Sequence, residues 1–292
     1  MNSGNEAILR YSILFLLVCN ITLVPSITAQ PLESFVTSQQ AEDGTTPLNA
    51  VTYRAVLVAI GFSQALPYSI KQLYGFQTML LHGGNWKESN IVTLVENQAT
   101  KVKIRAAIQS LAASADDNDL SLFYFIGHGS GDDTSHCILC YGDTYIYDVE
   151  LNQYLSNVSG SLIVIVDACK SGGFIEELAH ENRVVLTACA KDEAAYQVAD
   201  LESGLFGFFL NMSFSWMTKN VEPSFFWANV FSTYYSNKLA EQYGEEYRIH
   251  PQISDGSQGM TRLIFKHSYV RSIYQMMQAF LHESANNRLW RL

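Results

Sequence analysis

Apolar positions fall along this chain in two rhythms. In the first, short runs are apolar nearly throughout: Tyr53–Gly61 (YRAVLVAIG), Leu120–Gly129 (LSLFYFIGHG), Ser161–Cys169 (SLIVIVDAC) and Arg183–Cys189 (RVVLTAC). Runs of this length without polar alternation predict strands buried on both faces. In the second, apolar residues recur at helical spacing. Ile70, Leu73, Phe76 and Leu80 do so before Gly83-Gly84, and Val102, Ile104, Ala107, Ile108 and Leu111 do so within residues 99–115. The same reading predicts helices over 149–158, 173–179, 204–217 and 224–242, a short strand over 90–96, and two short strands around the turn Gly142-Asp143. Residues 261–265 (TRLIF) read as a last strand.

Strands alternating with helices build βαβ units and a mostly parallel sheet. The predicted fold class is therefore α/β, a central mostly parallel sheet flanked by helices, over residues 51–266. There is no internal repeat and no second domain boundary. Residues 30–50 are polar with Pro, Gly and Thr and read as a flexible lead-in. Residues 267–292, with YVRSIYQMMQAFLHE at their centre, read as a C-terminal amphipathic helix packed on the domain.

Open parallel sheets bind ligands just beyond the carboxyl ends of their strands. Two of the apolar strands end on reactive side chains there: FIGHGSGDD sets His128 between glycines, and VDACKSGG sets Cys169 before a glycine turn. A thiol attacks well only as thiolate, and an imidazole both raises the thiolate fraction and protonates a leaving amine. Glycine-flanked turns leave backbone N–H groups open to an oxyanion. The chemistry implied is acyl transfer from an amide. A lone cysteine or histidine is more often a packed residue; the pair at matching strand ends carries the reading.

Composition narrows the setting. The chain has 292 residues, 48% hydrophobic and 16% charged, with a formal net charge of −10. That is a globular composition, and without a Lys/Arg cluster it argues against nucleic acid as a partner. Tyr11–Gln30 is apolar, follows Arg10 and ends in small residues near Ala29, which reads as a signal peptide over 1–29 and places the protein outside the cytoplasm. Contact with a membrane would then come only through an uncleaved leader. Five cysteines are present. Cys19 leaves with the leader, and Cys137, Cys140, Cys169 and Cys189 leave disulfide pairing open. SHCILCYGD brings His136, Cys137 and Cys140 together, but a second ligand pair is missing, so no metal site is assigned. Asn157-Val-Ser159 and Asn211-Met-Ser213 fit the glycosylation pattern. No feature of the sequence sets the oligomeric state.

FYFIGHG followed by DACKSGG resembles the caspase, metacaspase and legumain group of cysteine peptidases, most of all the microbial metacaspase-like branch. YRAVLVAIG resembles the first strand of that domain, VVLTACAKDEAAYQ a later strand with its acidic continuation, GLFGFFL the next helix, and HPQISDG the approach to the last strand. The resemblance spans residues 51–266 and implies a caspase-like three-layer fold. It implies His128 as catalytic histidine, Cys169 as nucleophile, and the amides of Gly129 and Cys169 as oxyanion hole. It also implies Asp167 as an acid of the substrate pocket, selecting Arg or Lys before the scissile bond (P1). Protein or peptide substrates follow. The dyad needs no cofactor; calcium, on which some metacaspases depend, has no residues assigned to it here.

Two departures bear on this. Metacaspases carry a second pocket acid at the start of the first helix, where PYSIKQLYGF offers Lys71 and no acid. The stretch from Cys169 to Arg183 is short, which implies a single-chain enzyme without a cleavable linker. A catalytically silent binding module on the same fold, and an Asn-directed legumain-like peptidase, stand as alternatives.

Overall fold

The computed structural model describes residues 50–62, 65–267 and 289–291. The expected leader over 1–29 and most of the lead-in over 30–50 lie outside the described residues, as does the tail helix except at its end.

Six strands form the main sheet: β1 (Tyr53–Ala59), β2 (Ile91–Val95), β3 (Leu120–Ile126), β7 (Ser161–Asp167), β8 (Arg183–Thr187) and β11 (Gln252–Asp255). Their order is β11-β8-β7-β3-β1-β2. All neighbours are parallel except the edge strand β11, which runs antiparallel to β8. Helices α1 (Ser69–His82), α2 (Lys101–Ser114), α3 (Asp148–Leu155), α4 (Phe174–Leu178), α5 (Leu205–Trp216) and α6 (Val221–Tyr243) cover it. A three-stranded antiparallel sheet, β4 (Gly129–Gly131), β5 (His136–Cys140) and β6 (Thr144–Tyr147), follows β3. A second small sheet holds β9 (Tyr196–Val198), β10 (Ser203–Gly204) and β12 (Leu289–Arg291).

Period-two alternation sorts each buried strand between two cores. Leu57, Tyr124, Ile163 and Ile165 face one layer with Leu73 and Phe76 of α1, Phe209 of α5 and Phe225 of α6. Val58, Phe123, Phe125 and Val164 face the other with Ile104 and Ile108 of α2, Leu151 of α3 and Phe174 of α4. The expected three-layer α/β arrangement is present. Helix α2 is capped by Thr100, whose hydroxyl accepts from Lys103 N at 3.4 Å, a local signal that fixes where the helix begins.

Three expectations are corrected. Val102 is 77% exposed, because it lies two residues before the buried Ile104 and therefore across the helix from it. Residues 261–265 make no strand. Arg262 forms one isolated antiparallel bridge with Asn220, while Leu263 and Ile264 are buried and Leu263 O accepts from Trp86 Nε1 at 2.8 Å. The sheet instead ends on Gln252–Asp255, inside HPQISDG. At the far end of the tail, Leu289–Arg291 is a strand paired antiparallel with β9, not helix. Among the described residues, no helix is long and apolar enough to cross a membrane.

Candidate active site

Strands β3 and β7 pair in parallel with Ile126 opposite Asp167. His128 and Cys169 each follow that matched pair by two residues, so the topology brings both to the same carboxyl edge of the sheet. Each is half-buried. The two turns touch closely: a Cβ at Gly129 would come within 2.3 Å of Cys169 O and 2.9 Å of Ala168 Cβ. Only glycine fits there, which is the physical reason for the His-Gly pair. Cys169 Sγ lies 3.4 Å from the carbonyl oxygen of Ala195, to which it donates.

The turn that carries Cys169 is held from several sides. Ser171 Oγ accepts from Ala188 N (3.1 Å) and Cys189 N (3.4 Å), tying the turn to the end of β8. Lys170 N donates to Glu193 O at 2.8 Å. Cys189 sits beneath, its Sγ donating to Ala168 O at 3.4 Å, and burial pushes its thiol up to about 12. It is a packed neutral thiol, in contrast to the half-buried Cys169.

On the histidine side, the ring of Phe62 lies 5.5 Å from that of His128, tilted by 35°. Phe62 has φ +48°, a backbone region that bulky side chains rarely adopt. Cys169 opens onto a cleft of about 510 Å³, lined also by Lys170, Asp192, Glu193, Ala194, Glu245, Glu246 and Arg248. The acids of the stretch after β8, Asp192 and Glu193, thus reach the cleft, while Asp200 does not line it. Glu193 accepts from Ala190 N (2.9 Å) and His250 N (2.7 Å), so its carboxylate is already engaged.

Asp167 does not face this open cleft. It falls on the same strand face as Ile163 and Ile165 and points into the layer under α1 and α5, fully buried. Gln72 Nε2 donates to Asp167 Oδ2 (2.6 Å) and to the Tyr124 hydroxyl (2.7 Å), and Gln72 Oε1 accepts from Gly204 N (2.7 Å). Asp167 Oδ1 has no hydrogen-bond partner. Burial pushes the carboxyl up to about 6, against the opposing pull of the Gln72 amide, the Gly207 N–H and the Tyr124 hydroxyl. Gly207 closes the box: a Cβ there would meet Gln72 Nε2 at 1.9 Å and Asp167 Oδ2 at 2.6 Å.

Helix α1 therefore meets Asp167 through Gln72, one residue beyond Lys71, which pairs instead with Glu202 at the surface. The signal for Gln72 was its place on the apolar face, beside Leu73 and four residues before Phe76. Lys170 and Phe62 carried no comparable pattern.

The remaining candidates are structural. Cys137, Cys140 and Cys189 are buried and outside any disulfide. Burial pushes Cys140 up to about 12. His136 is buried in β5, its backbone N–H donating to Asp148 Oδ2 at 2.9 Å. Among the described residues, no group of three or more His, Cys, Asp or Glu is arranged to hold a metal.

The Caspase domain family model matches residues 50–231, from the start of β1 into α6, and takes in both His128 and Cys169. The chain belongs to the caspase-domain family. Within it the chain is metacaspase-like: over 178 residues, 54% of its length, it is 27% identical to Metacaspase-4 of Arabidopsis thaliana. That stretch is 42% of the relative, so the chain spans less than half the length of the curated protein it matches. The crystal structure of a Geobacter sulfurreducens protein shares the fold, with a TM-score of 0.52 at 13% identity over 74% of this chain and 99% of that one.

Proposed function

We propose that this chain is an exported cysteine endopeptidase that hydrolyses peptide bonds through Cys169 and His128, with Arg or Lys favoured at P1. The observation that carries the reading is the in-register pairing of β3 and β7, which brings those two side chains, each two residues past the last pair, to one edge of the sheet. His128 takes the Cys169 proton, and the thiolate attacks the scissile carbonyl carbon. The amides of Gly129 and Cys169 hold the oxyanion of the tetrahedral intermediate. As the C–N bond breaks, imidazolium His128 protonates the leaving amine and a thioester remains. Water, deprotonated by His128, then attacks the thioester, and the thiolate leaves as the carboxylic acid departs. None of these steps requires a metal.

In this reading Asp167 is the acid that meets the P1 side chain. Its unpartnered Oδ1 is the acceptor that a P1 guanidinium or ammonium would satisfy. One observation favours a second reading. Lys71 stands where a second pocket acid would and pairs with Glu202 at the surface, which weakens the case for a cation and leaves Asn at P1 as the second reading. A silent binding module is the remaining alternative.

The test is cleavage of short fluorogenic peptides with Arg, Lys, Asn or Asp at P1, in reductant, with and without calcium, beside Cys169→Ala. Cleavage after Arg or Lys, abolished in the variant, supports the proposal; cleavage after Asn alone replaces it with the second reading. No cleavage, together with Cys169 alkylation by iodoacetamide no faster than that of the buried thiols, would leave the binding module. Export, proposed from Tyr11–Gln30, is read by amino-terminal sequencing of the protein recovered outside the cytoplasm. A mature chain beginning at Gln30 is expected, and one retaining Met1 inside the cell would refute it.

A further inference from the structure

Lys170 directly follows the nucleophile, and its backbone lies at φ +58°, ψ 19°. Residues with a side chain rarely hold that region, and they do so where surrounding contacts over-determine them. The contacts here are specific. Lys170 N donates to Glu193 O (2.8 Å), and Lys170 O accepts from Gly173 N (3.1 Å). The side chain then crosses to the other turn, where Nζ donates to Gly131 O at 2.6 Å. Gly131 ends β4, the strand that leaves His128. One side chain thus spans the turn that carries Cys169 and the strand that carries His128.

An unconstrained ammonium would not choose this partner. Asp192, Glu193, Glu245 and Glu246 line the same cleft, and a carboxylate is a stronger acceptor for a cation than a neutral carbonyl. Glu245 is taken up by Arg248 and Glu193 by backbone N–H groups, yet Asp192 and Glu246 remain in the cleft as alternatives. The left-handed backbone directs the side chain across the gap instead. It also sets a positive charge on the residue next to Cys169, at the same cleft, and a nearby cation favours thiolate.

We propose that Lys170 is a positioning residue, a strap between the two catalytic turns that fixes Cys169 against His128 and holds the thiol in its reactive ionisation. This rests on the dyad reading above. Misplacing a reacting group by a fraction of an ångström lowers turnover with little effect on substrate binding.

The test compares native protein, Lys170→Gly and Lys170→Arg. The glycine variant removes both strap and charge but adopts φ +58° without steric cost, so its melting temperature should hold or rise. The readouts are kcat and KM on the best peptide, and the pH profile of iodoacetamide alkylation of Cys169, corrected with Cys169→Ala. The charged and ionisable groups around the thiol in that profile are His128, Asp192, Glu193 with its partner His250, Glu245, Glu246 and Arg248. For Lys170→Gly we expect kcat to fall by about 10- to 100-fold with KM within about threefold, and the alkylation midpoint to rise by about one pH unit. Lys170→Arg, which keeps a donor and a charge, should recover most of both. A stable Lys170→Gly with native kcat and a native alkylation profile would overturn the strap while leaving the peptidase reading intact. A native protein that neither cleaves nor alkylates below the ordinary thiol range would overturn both.

Discussion

At Asp167 the environment of one carboxyl sets two expectations. Burial pushes it up to about 6 in the folded chain, against an ordinary carboxylate value of about 4. The folded state therefore holds the carboxyl proton more tightly than the unfolded chain. Stability from this group is full below about pH 4 and is lost as pH rises through about 6. Asp167→Asn should flatten that loss, read as a smaller decrease in Tm between pH 4 and 6.5 than in the native protein. Under the proposed P1 role the same titration sets substrate choice, because a neutral acid does not select a cation. The ratio of kcat/KM for an Arg substrate over a norleucine substrate should fall as pH drops through 6. A ratio flat from pH 5 to 8 would remove Asp167 from P1 recognition. The placement of His128 and Cys169 just past two strand ends was legible from sequence because a strand end is a local feature. The direction of Asp167 follows from alternation along SLIVIVD, since residues 163, 165 and 167 share a face. Its closure by Gln72 did not, because that contact depends on how α1 lies across β3 and β7.

Helices α1 and α5 meet over the sheet through a small residue at one point. Gly207 lies in the first turn of α5 where it passes Gln72 and Asp167. A methyl group there meets both side chains in a fully enclosed space, so the helix or the hydrogen-bonded pair must move. Gly207→Ala should cost about 1–3 kcal/mol, or roughly 3–10 °C in Tm. It should also lower turnover of basic P1 substrates more than that of neutral ones. Gly259→Ala, with nothing within 4 Å of the new methyl, is the control and should stay near native. An unchanged Tm for Gly207→Ala would mean that Gln72 swings away freely. At this scale the long apolar runs and helical spacings mark their elements plainly. Segments at the sheet's edge do not. Gln252–Asp255 is polar and only partly buried because β11 has a single neighbour. Residues 261–265 look like a strand because Leu263 and Ile264 are apolar, yet their burial comes from packing against Gly83 and Trp86 rather than from a ladder.

Over the whole molecule, the connection from β7 to β8 bears on whether the proposed peptidase needs cleavage to become active. A peptidase that cuts after Arg or Lys has two such residues in this stretch, Lys170 and Arg183. Both are held. Lys170 is bound through its backbone and its ammonium to neighbouring carbonyls. Arg183 is buried at the first position of β8, its guanidinium donating to Leu178 O and Asn152 Oδ1, each at 2.9 Å. The exposed residues of the connection, Glu176, Glu177 and 179–182, include no Lys or Arg. Proteolytic nicking concentrates in exposed loop tips whose backbone can be drawn out, and this one offers the enzyme no P1 side chain. Cutting at Arg183 would also require pulling β8 from between β7 and β11, the kind of sub-global opening that costs a large share of total stability. Activity should therefore appear in the unbroken chain. The check is a time course of peptide cleavage beside denaturing electrophoresis and intact mass. Full activity with a single species spanning β7 to β8 is expected, and Cys169→Ala should show the same pattern in this region. Activity that rises only as fragments split between residues 169 and 184 accumulate would sink the argument. It would mean that the connection opens far more readily than its burial allows.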